Sequence, residues 1–292
     1  MTELAVTVNA GGTRMPETVK IAMADWARSA LTRKPVFVFV QEVPSDSWVA
    51  VWTEAGYTPF FGEDRGWTVR SALLVRGDVS AEPISCTPVA LSTAGAFGTL
   101  HYHGSYVAVA RWMSQRGPVL LASVHASPNE ADLEGYGWTG GKVRARPGGG
   151  DPRYVGGRLW DSDMVLTTLT RMASVAPVLA AGDFNESRNF DLGEHGERLG
   201  TWGKEYFERV HGAHYRAWLT DRWQEERPTH NRLQLDHVLL SDSAAGLLAE
   251  NPPPYLDTQW ADASARNHLS DHIPVWFAVN ETWIPPLDGH GS

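Results

Sequence analysis

Apolar runs of strand length alternate along this chain with segments in which apolar residues recur at helical spacing. Runs rich in β-branched and aromatic residues predict buried strands over residues 4–8, 35–40, 67–75, 84–91, 106–112, 119–124, 177–181, 233–240 and 273–279. Helical spacing predicts helices over residues 19–31, 48–52, 159–172 and 199–210. This alternation of strands and helices indicates an α/β protein.

Polar residues of catalytic type stand where the predicted strands begin or end. Five strands are bounded in this way and a sixth contains an aspartate, which together give Asn9, Gln41, Glu42, His125, Asp183, Asn185, Asp236, Asp271 and His272. A core strand has no structural need for an acid or an imidazole at its rim. The set therefore indicates a shared functional site at the mouth of a sheet.

The central stretch is residues 177–185, where an apolar run ends in a glycine, an aspartate, a phenylalanine and an asparagine. Asp183 and Asn185 are two residues apart, so in an extended chain their side chains point the same way. A carboxylate beside an amide suits a metal-bound water on one side and a phosphate oxygen on the other. The alternative is an ordinary turn, because glycine, aspartate and asparagine are common turn residues.

The segment between residues 128 and 157 is rich in glycine and in basic residues. We predict a long functional loop, because structureless loops of this size in compact domains are usually functional or disordered. Its cations are Lys142, Arg144, Arg146 and Arg153. They form either a solvated surface or a clamp for substrate phosphates beyond the scissile one. Aromatic rings in the same segment are suited to stacking on bases of a single strand, namely Tyr136, Trp138 and Tyr154.

The length of the chain bears on the number of domains, and its net charge bears on whether it could coat nucleic acid. The chain has 292 residues, enough for a substantial core, and it contains neither a low-complexity linker nor a repeat. We predict one domain over residues 1–280, followed by a loose tail over residues 281–292. The net charge of −9 offers no global positive field for coating duplex nucleic acid, although a nuclease with a local basic patch stays compatible with it.

The cysteine content and the first residues predict the compartment. Cys86 is the single cysteine, which excludes an intramolecular disulfide and fits a reducing compartment. The N-terminal residues show no basic region followed by a long apolar segment, and no apolar run has membrane-spanning length. We therefore expect a soluble, cytoplasmic protein without membrane association. Its oligomeric state stays open.

In their order along the chain, these motifs resemble the endonuclease/exonuclease/phosphatase superfamily, which includes deoxyribonuclease-like and exonuclease-III-like enzymes. The resemblance spans residues 4–280 and is carried by Asn9, Gln41-Glu42, Ser123-Val124-His125, Gly182-Asp183-Phe184-Asn185, Leu235-Asp236 and Ser270-Asp271-His272. It implies a four-layer α/β/β/α sandwich with two packed mixed sheets and a site at one end of both. It also implies hydrolysis of a phosphoester with Mg²⁺, or alternatively Mn²⁺, as cofactor.

The resemblance implies roles for the acids and amides of the motifs. Glu42, Asp271 and Asn9 would surround one divalent cation, since Mg²⁺ prefers oxygen ligands. Asp183 would position or deprotonate the attacking water, or help to hold the metal. Asn185 would orient that water and bind a phosphate oxygen.

The resemblance also implies roles for two histidines. Asp236 would orient the ring of His272, which would act as a base or as a charge partner for the scissile phosphate. His125 would contact the phosphate or protonate the leaving oxygen, although no glutamate partner for it is evident in the sequence. The default for the other histidines is a surface or packing role, and this applies to His237 and His230 as well.

Three hypotheses of function follow. The first is a Mg²⁺-dependent phosphodiester hydrolase, a nuclease in particular, that acts on single-stranded nucleic acid or on a local stretch of duplex. The second is a phosphatase or phosphodiesterase for a small phosphorylated metabolite, nucleotide or lipid head group. The third is a catalytically silent binding module, against which the intact set of polar residues argues.

Overall fold

The computed structural model describes residues 2–12, 16–62, 70–84, 107–128, 160–193, 196–197, 201–260 and 270–283. The predicted substrate-binding residues lie outside these ranges, namely Lys142, Arg144, Arg146 and Arg153. Most of the predicted strand at residues 84–91 also lies outside them.

The described strands, in chain order, are β1 (Thr2–Asn9), β2 (Phe37–Gln41), β3 (Tyr57–Phe61), β4 (Ala72–Arg76), β5 (Ala81–Pro83), β6 (Val107–Ser114), β7 (Gly117–His125), β8 (Val178–Asp183), β9 (Tyr215–Ala217), β10 (Asp236–Ser241), β11 (Tyr255–Leu256) and β12 (Val275–Asn280). The principal described helices are α1 (Glu17–Leu31), α2 (Asp46–Glu54), α3 (Asp161–Ala173), α4 (Trp202–Gly212) and α5 (Trp218–Trp223).

The strands form two six-stranded mixed sheets. The first sheet has the order β11-β12-β1-β2-β4-β3, and the second has the order β5-β6-β7-β8-β10-β9. Each sheet contains one parallel pair, β1 with β2 and β7 with β8, and its other neighbours are antiparallel. The carboxyl ends of the parallel strands are the ends at which the predicted functional residues stand.

Three apolar clusters give the chain four layers. The middle cluster packs the two sheets face to face and includes Phe37 and Phe39 from the first sheet with Leu121 and Leu179 from the second. A second cluster packs α3 and α4 on the outer face of the second sheet. A third cluster packs α1 and α2 on the outer face of the first sheet. The predicted α/β/β/α sandwich is therefore confirmed.

Strand alternation decides which side chains point into the space between the sheets. In β8, Leu179 and Ala181 belong to the middle cluster, whereas Val178 and Ala180 face the helices. Since side chains alternate along a strand, Asp183 extends the row that faces the other sheet. The same parity applies to residues 9, 41, 125 and 236 in their own strands. The polar rim residues therefore continue the inter-sheet core at its open end.

The elements differ from the sequence predictions mainly at short strands. β3, β5, β9 and the six-residue helix α5 were not predicted from the apolar pattern. The described part of the predicted tail, Glu281–Trp283, forms a 3-10 turn, and the ring of Trp283 is buried in the middle cluster. Among the helices of the described ranges, none is both long and apolar enough to cross a membrane.

Candidate active site

The rim residues of β1, β2 and β8 meet through one amide group. Nδ2 of Asn9 donates a hydrogen bond to Oε1 of Glu42 at 3.2 Å and another to Oδ2 of Asp183 at 3.1 Å. Oδ1 of Asn9 accepts the backbone N–H of Gly11 at 3.1 Å. The amide thus holds two carboxylates from different sheets close together, and its oxygen stabilises the turn that follows β1.

A histidine–aspartate pair forms the second half of the site. Nδ1 of His272 lies 2.8 Å from Oδ2 of Asp236, and both side chains are buried. The backbone N–H of Asp236 is bonded to Oγ1 of Thr229, which fixes the start of β10. Nε2 of His272 then faces Oδ2 of Asp183 at 3.7 Å. The structure therefore brings together the predicted pair and directs its outer nitrogen at the central carboxylate.

His125 ends β7 and reaches the same two carboxylates. Its Nε2 lies 3.5 Å from Oε1 of Glu42 and 3.9 Å from Oδ2 of Asp183. Glu42 is therefore the acidic neighbour of His125 that was not evident in the sequence. This neighbour comes from the opposite sheet, directly after β2.

Asn185 differs from the extended arrangement predicted for residues 183–185. β8 ends at Asp183, and Asn185 has a φ of 50°, so the alternation rule does not apply to it. Its side-chain Nδ2 donates to the backbone oxygen of Ala126 at 2.7 Å, and its backbone N–H donates to Oδ1 of Asp183 at 2.8 Å. The side chain of Asn185 thus stabilises the turn after β8, and its backbone N–H, not its side chain, contacts the Asp183 carboxylate.

Burial and neighbouring charges shift the pKa values of the central groups in different directions. Burial raises the pKa of Asp183 above its usual range, against the opposing charges of His272 and His125. Burial alone would raise the pKa of Asp236, but the charge and the hydrogen bond of His272 outweigh it and lower that pKa. Burial alone would lower the pKa of His272, but the charges of Asp236 and Asp183 outweigh it and raise that pKa to about 10. The geometry therefore favours an imidazolium at His272.

A polar layer separates the site from the apolar core beneath it. Oγ1 of Thr7 donates to Oε1 of Gln41 at 3.3 Å, and Nε2 of Gln41 donates to Oγ of Ser123 at 3.0 Å. Gly182 allows the neighbouring strand β7 and the Gln41 side chain of the other sheet to come close, since a Cβ at this position would lie 2.0 Å from the backbone oxygen of Val124 and 2.7 Å from Nε2 of Gln41. The glycine of the central motif is thus required by close packing between strands.

Asp271 lies beside a histidine that the sequence did not single out. Oδ2 of Asp271 is 2.8 Å from Nε2 of His230, and the rings of His230 and His272 have centroids 4.6 Å apart. Among the described residues, Asp271 is hydrogen bonded to His230 and makes no such bond with Asn9 or Glu42. Sequence spacing did not reveal His230, because 41 positions separate it from its partner.

The donor atoms of the site suit a hard divalent cation. Glu42 and Asp183 offer carboxylate oxygens that converge on the Asn9 amide, and the buried charge of Asp183 favours a cation beside it. Two such carboxylates suit a hard divalent cation as a class. In the part of the chain that the structure describes, His230, Asp271 and His272 form a separate group whose ligand atoms lie within 4.8 Å of one another.

Comparisons with known proteins bear on the fold. No protein-family model matches the chain, and no curated protein matches it. Solved structures are similar to it over nearly its whole length. The AP endonuclease LMAP from Leishmania major has a TM-score of 0.61 at 14% identity, covering 98% of this chain and 88% of that one.

Two further solved structures show the same likeness. An endonuclease/exonuclease/phosphatase family protein from Leptotrichia buccalis has a TM-score of 0.57 at 11% identity, covering 95% of this chain and 99% of its own. D. rerio TDP2, complexed with a single-strand DNA product, has a TM-score of 0.52 at 14% identity, covering 96% of this chain and 99% of its own. The chain therefore has the fold of the endonuclease/exonuclease/phosphatase superfamily, as its motifs predicted.

Proposed function

We propose that this chain is a divalent-cation-dependent phosphodiester hydrolase that acts on nucleic acid. One observation carries the proposal. Asn9, Asp183 and Asp236 stand at strand ends and His272 lies shortly before β12, and these four residues, spread over most of the sequence, meet in one buried network. Four converging polar groups of this kind are costly to bury without a function that needs them.

Each side chain has a role in the proposed hydrolysis. Water attacks phosphorus in line with the leaving oxygen, and the P–O ester bond breaks to give a phosphomonoester and an alcohol. Asp183 orients the water and accepts a proton from it, while Asn9 holds the Asp183 carboxylate in place. The imidazolium of His272, fixed by Asp236, balances the charge on the non-bridging oxygens.

The rim of the site supplies the remaining groups. His125 lies next to Glu42 and is placed to donate a proton to the leaving oxygen. When bound, Mg²⁺ or Mn²⁺ would supply Lewis-acid stabilisation of the phosphate charge. Glu42 and Asp183 would hold the ion. The sequence motifs also suggest Asn9 and Asp271 as ligands, but the amide nitrogen of Asn9 faces the two carboxylates and Asp271 is bonded to His230.

Nucleic acid is the leading substrate class for two reasons. LMAP is named an endonuclease, and the TDP2 structure contains a single-strand DNA product. In addition, the segment with Lys142, Arg144, Arg146 and Arg153 follows directly after the site strand β7 and suits a phosphate backbone. The second candidate is a small phosphorylated substrate, which the net charge of −9 favours because a polyanion would be repelled by it.

A cytoplasmic location belongs to the proposal, since the single cysteine fits a reducing compartment.

A substrate panel tests the proposal with the full-length chain. Single-stranded DNA, duplex DNA, single-stranded RNA, bis(p-nitrophenyl) phosphate, p-nitrophenyl phosphate and nucleotides are incubated with Mg²⁺, with Mn²⁺ or with EDTA. We expect metal-dependent cleavage of at least one nucleic acid, with binding that weakens steeply as salt is added. Cleavage restricted to the nucleotides or p-nitrophenyl phosphate would favour the second candidate. Absence of hydrolysis throughout, or full activity of the Asp183→Asn variant, would refute the proposal.

A further inference from the structure

We propose that His230, Asp271 and His272 form a binding site for a transition-metal ion of the Zn²⁺ class, and that this ion inhibits the enzyme. Binding of the ion does not depend on the proposed function, whereas the inhibition rests on the proposed function. The ligand atoms of these three side chains lie within 4.8 Å of one another, and no other group of three such ligands occurs among the described residues.

The donor atoms select the class of ion. Two imidazole nitrogens and one carboxylate oxygen suit Zn²⁺ and its chemical relatives, whereas Mg²⁺ prefers oxygen ligands alone. A tetrahedral Zn²⁺ with ligands at about 2.0–2.1 Å places those ligand atoms about 3.3 Å apart. Nε2 of His230 and Oδ2 of Asp271 are 2.8 Å apart, and the third ligand atom lies within 4.8 Å of both, so binding requires the three side chains to adjust to this spacing.

The backbone holds the two histidines next to each other. His230 and His272 are paired as an isolated β-bridge, and the backbone N–H of Ile273 donates to the oxygen of Thr229 at 2.7 Å. Nδ1 of His272 is bonded to Asp236, which leaves Nε2 as the nitrogen that can bind an ion. A carboxylate behind a histidine in this way is the usual outer-shell arrangement of metal-binding histidines.

Solvent reaches the site from the Asp271 side. The side chain of Asp271 is 70% exposed and that of His230 is 22% exposed, whereas that of His272 is 9% exposed. An ion can therefore arrive at the carboxylate from solution. The same ion occupies Nε2 of His272, which is the nitrogen that faces Asp183 in the proposed active site. A ring held by the ion through Nε2 no longer contacts the substrate phosphate, which predicts inhibition.

Direct metal binding tests the site without any substrate. Co²⁺ and Zn²⁺ are titrated into the full-length wild-type chain, with visible absorption of Co²⁺ and calorimetry as readouts. Removing an outer-shell partner alone costs about 10- to 100-fold in metal affinity, so His230→Ala should weaken binding by at least about 10-fold. The matched control is His214→Ala, which removes a histidine from an exposed histidine–aspartate pair elsewhere, with Asp242. His230→Gln serves as the second variant if the alanine variant does not fold.

A second measurement tests inhibition. The Zn²⁺ concentration that halves Mg²⁺-supported hydrolysis is measured for each variant relative to its own zinc-free rate. We expect this concentration to rise at least 10-fold in His230→Ala and to stay unchanged in His214→Ala. Equal Co²⁺ and Zn²⁺ affinities in wild type and His230→Ala would overturn the site. Binding that depends on His230 but leaves hydrolysis unchanged would overturn the inhibitory role. If no substrate is hydrolysed at all, the proposed function fails while the binding result stands by itself.

Discussion

Replacing Asp236 by asparagine isolates the contribution of one buried charge to the reaction. The carboxylate lies 2.8 Å from Nδ1 of His272, and the two groups are buried together. The environment raises the pKa of His272 from 6.5 to about 10, with Asp236 and Asp183 as the charges responsible. This shift corresponds to about 5 kcal/mol in favour of the imidazolium. Asp236→Asn keeps the shape of this side chain but removes the charge that stabilises and orients the imidazolium, and the loss of one such electrostatic group costs about 100-fold in turnover.

The assay is the Mg²⁺-supported turnover of the best substrate from the panel, measured for single and double variants. Because Asp236 acts through His272, the Asp236→Asn change should have little further effect in the His272→Ala background. The control is Asp242→Asn, which removes the charge of an exposed carboxylate beside His214 and should leave turnover unchanged. Turnover of Asp236→Asn within about fivefold of wild type, or full additivity with His272→Ala, would refute the reasoning.

Three further predictions concern stability. In a urea titration, Gly182→Ala should lower the free energy of unfolding by more than about 3 kcal/mol, because the new Cβ would meet the Val124 oxygen at 2.0 Å. The control is Gly56→Ala, which is also at positive φ but has no atom within 4 Å of the new Cβ and should lower the same free energy by about 1 kcal/mol. Equal losses would contradict this. Burial raises the pKa of Asp161 from 3.8 to about 7, so its protonated form favours the folded state at low pH and this contribution is lost as the pH rises from about 4 to about 7. The free energy of unfolding of Asp161→Asn should therefore rise relative to that of wild type across this pH window. A difference that stays constant with pH would argue against this prediction. Mg²⁺ should raise the Tm of wild type and raise that of Glu42→Gln by less, as measured by thermal unfolding, because the ion binds the folded state through that carboxylate.

The main strands and the rim residues were predictable because both depend on local pattern. In β8 the apolar run is long enough to show which residues face the core, and parity then places Asp183 between the sheets. β3 was not predicted because it contains Pro59, which removes a backbone donor, and the strand can include it at the edge of its sheet. β9 has three residues, too few to show a period.

The parts of the site that were not predicted depend on contacts between distant residues. His230 lies in a loop, and its partner Asp271 is 41 positions away, so nothing local distinguishes it from a surface histidine. The direction of the Asn185 side chain depends on a positive φ, which asparagine adopts more easily than most residues. The asparagine two residues after the last residue of β8 was therefore a signal for a turn and argued against an extended chain at that point.

The interactions at the centre of the site run from one sheet to the other. Asn9 ends a strand of the first sheet and bonds Asp183 of the second, and His272 precedes β12 of the first sheet while Asp236 opens β10 of the second. Neither sheet alone holds a working set of groups. If the chain acts as proposed, a form with only one sheet assembled, during synthesis or after partial unfolding, would be inert, and recovery of activity would mark the moment when the two halves dock.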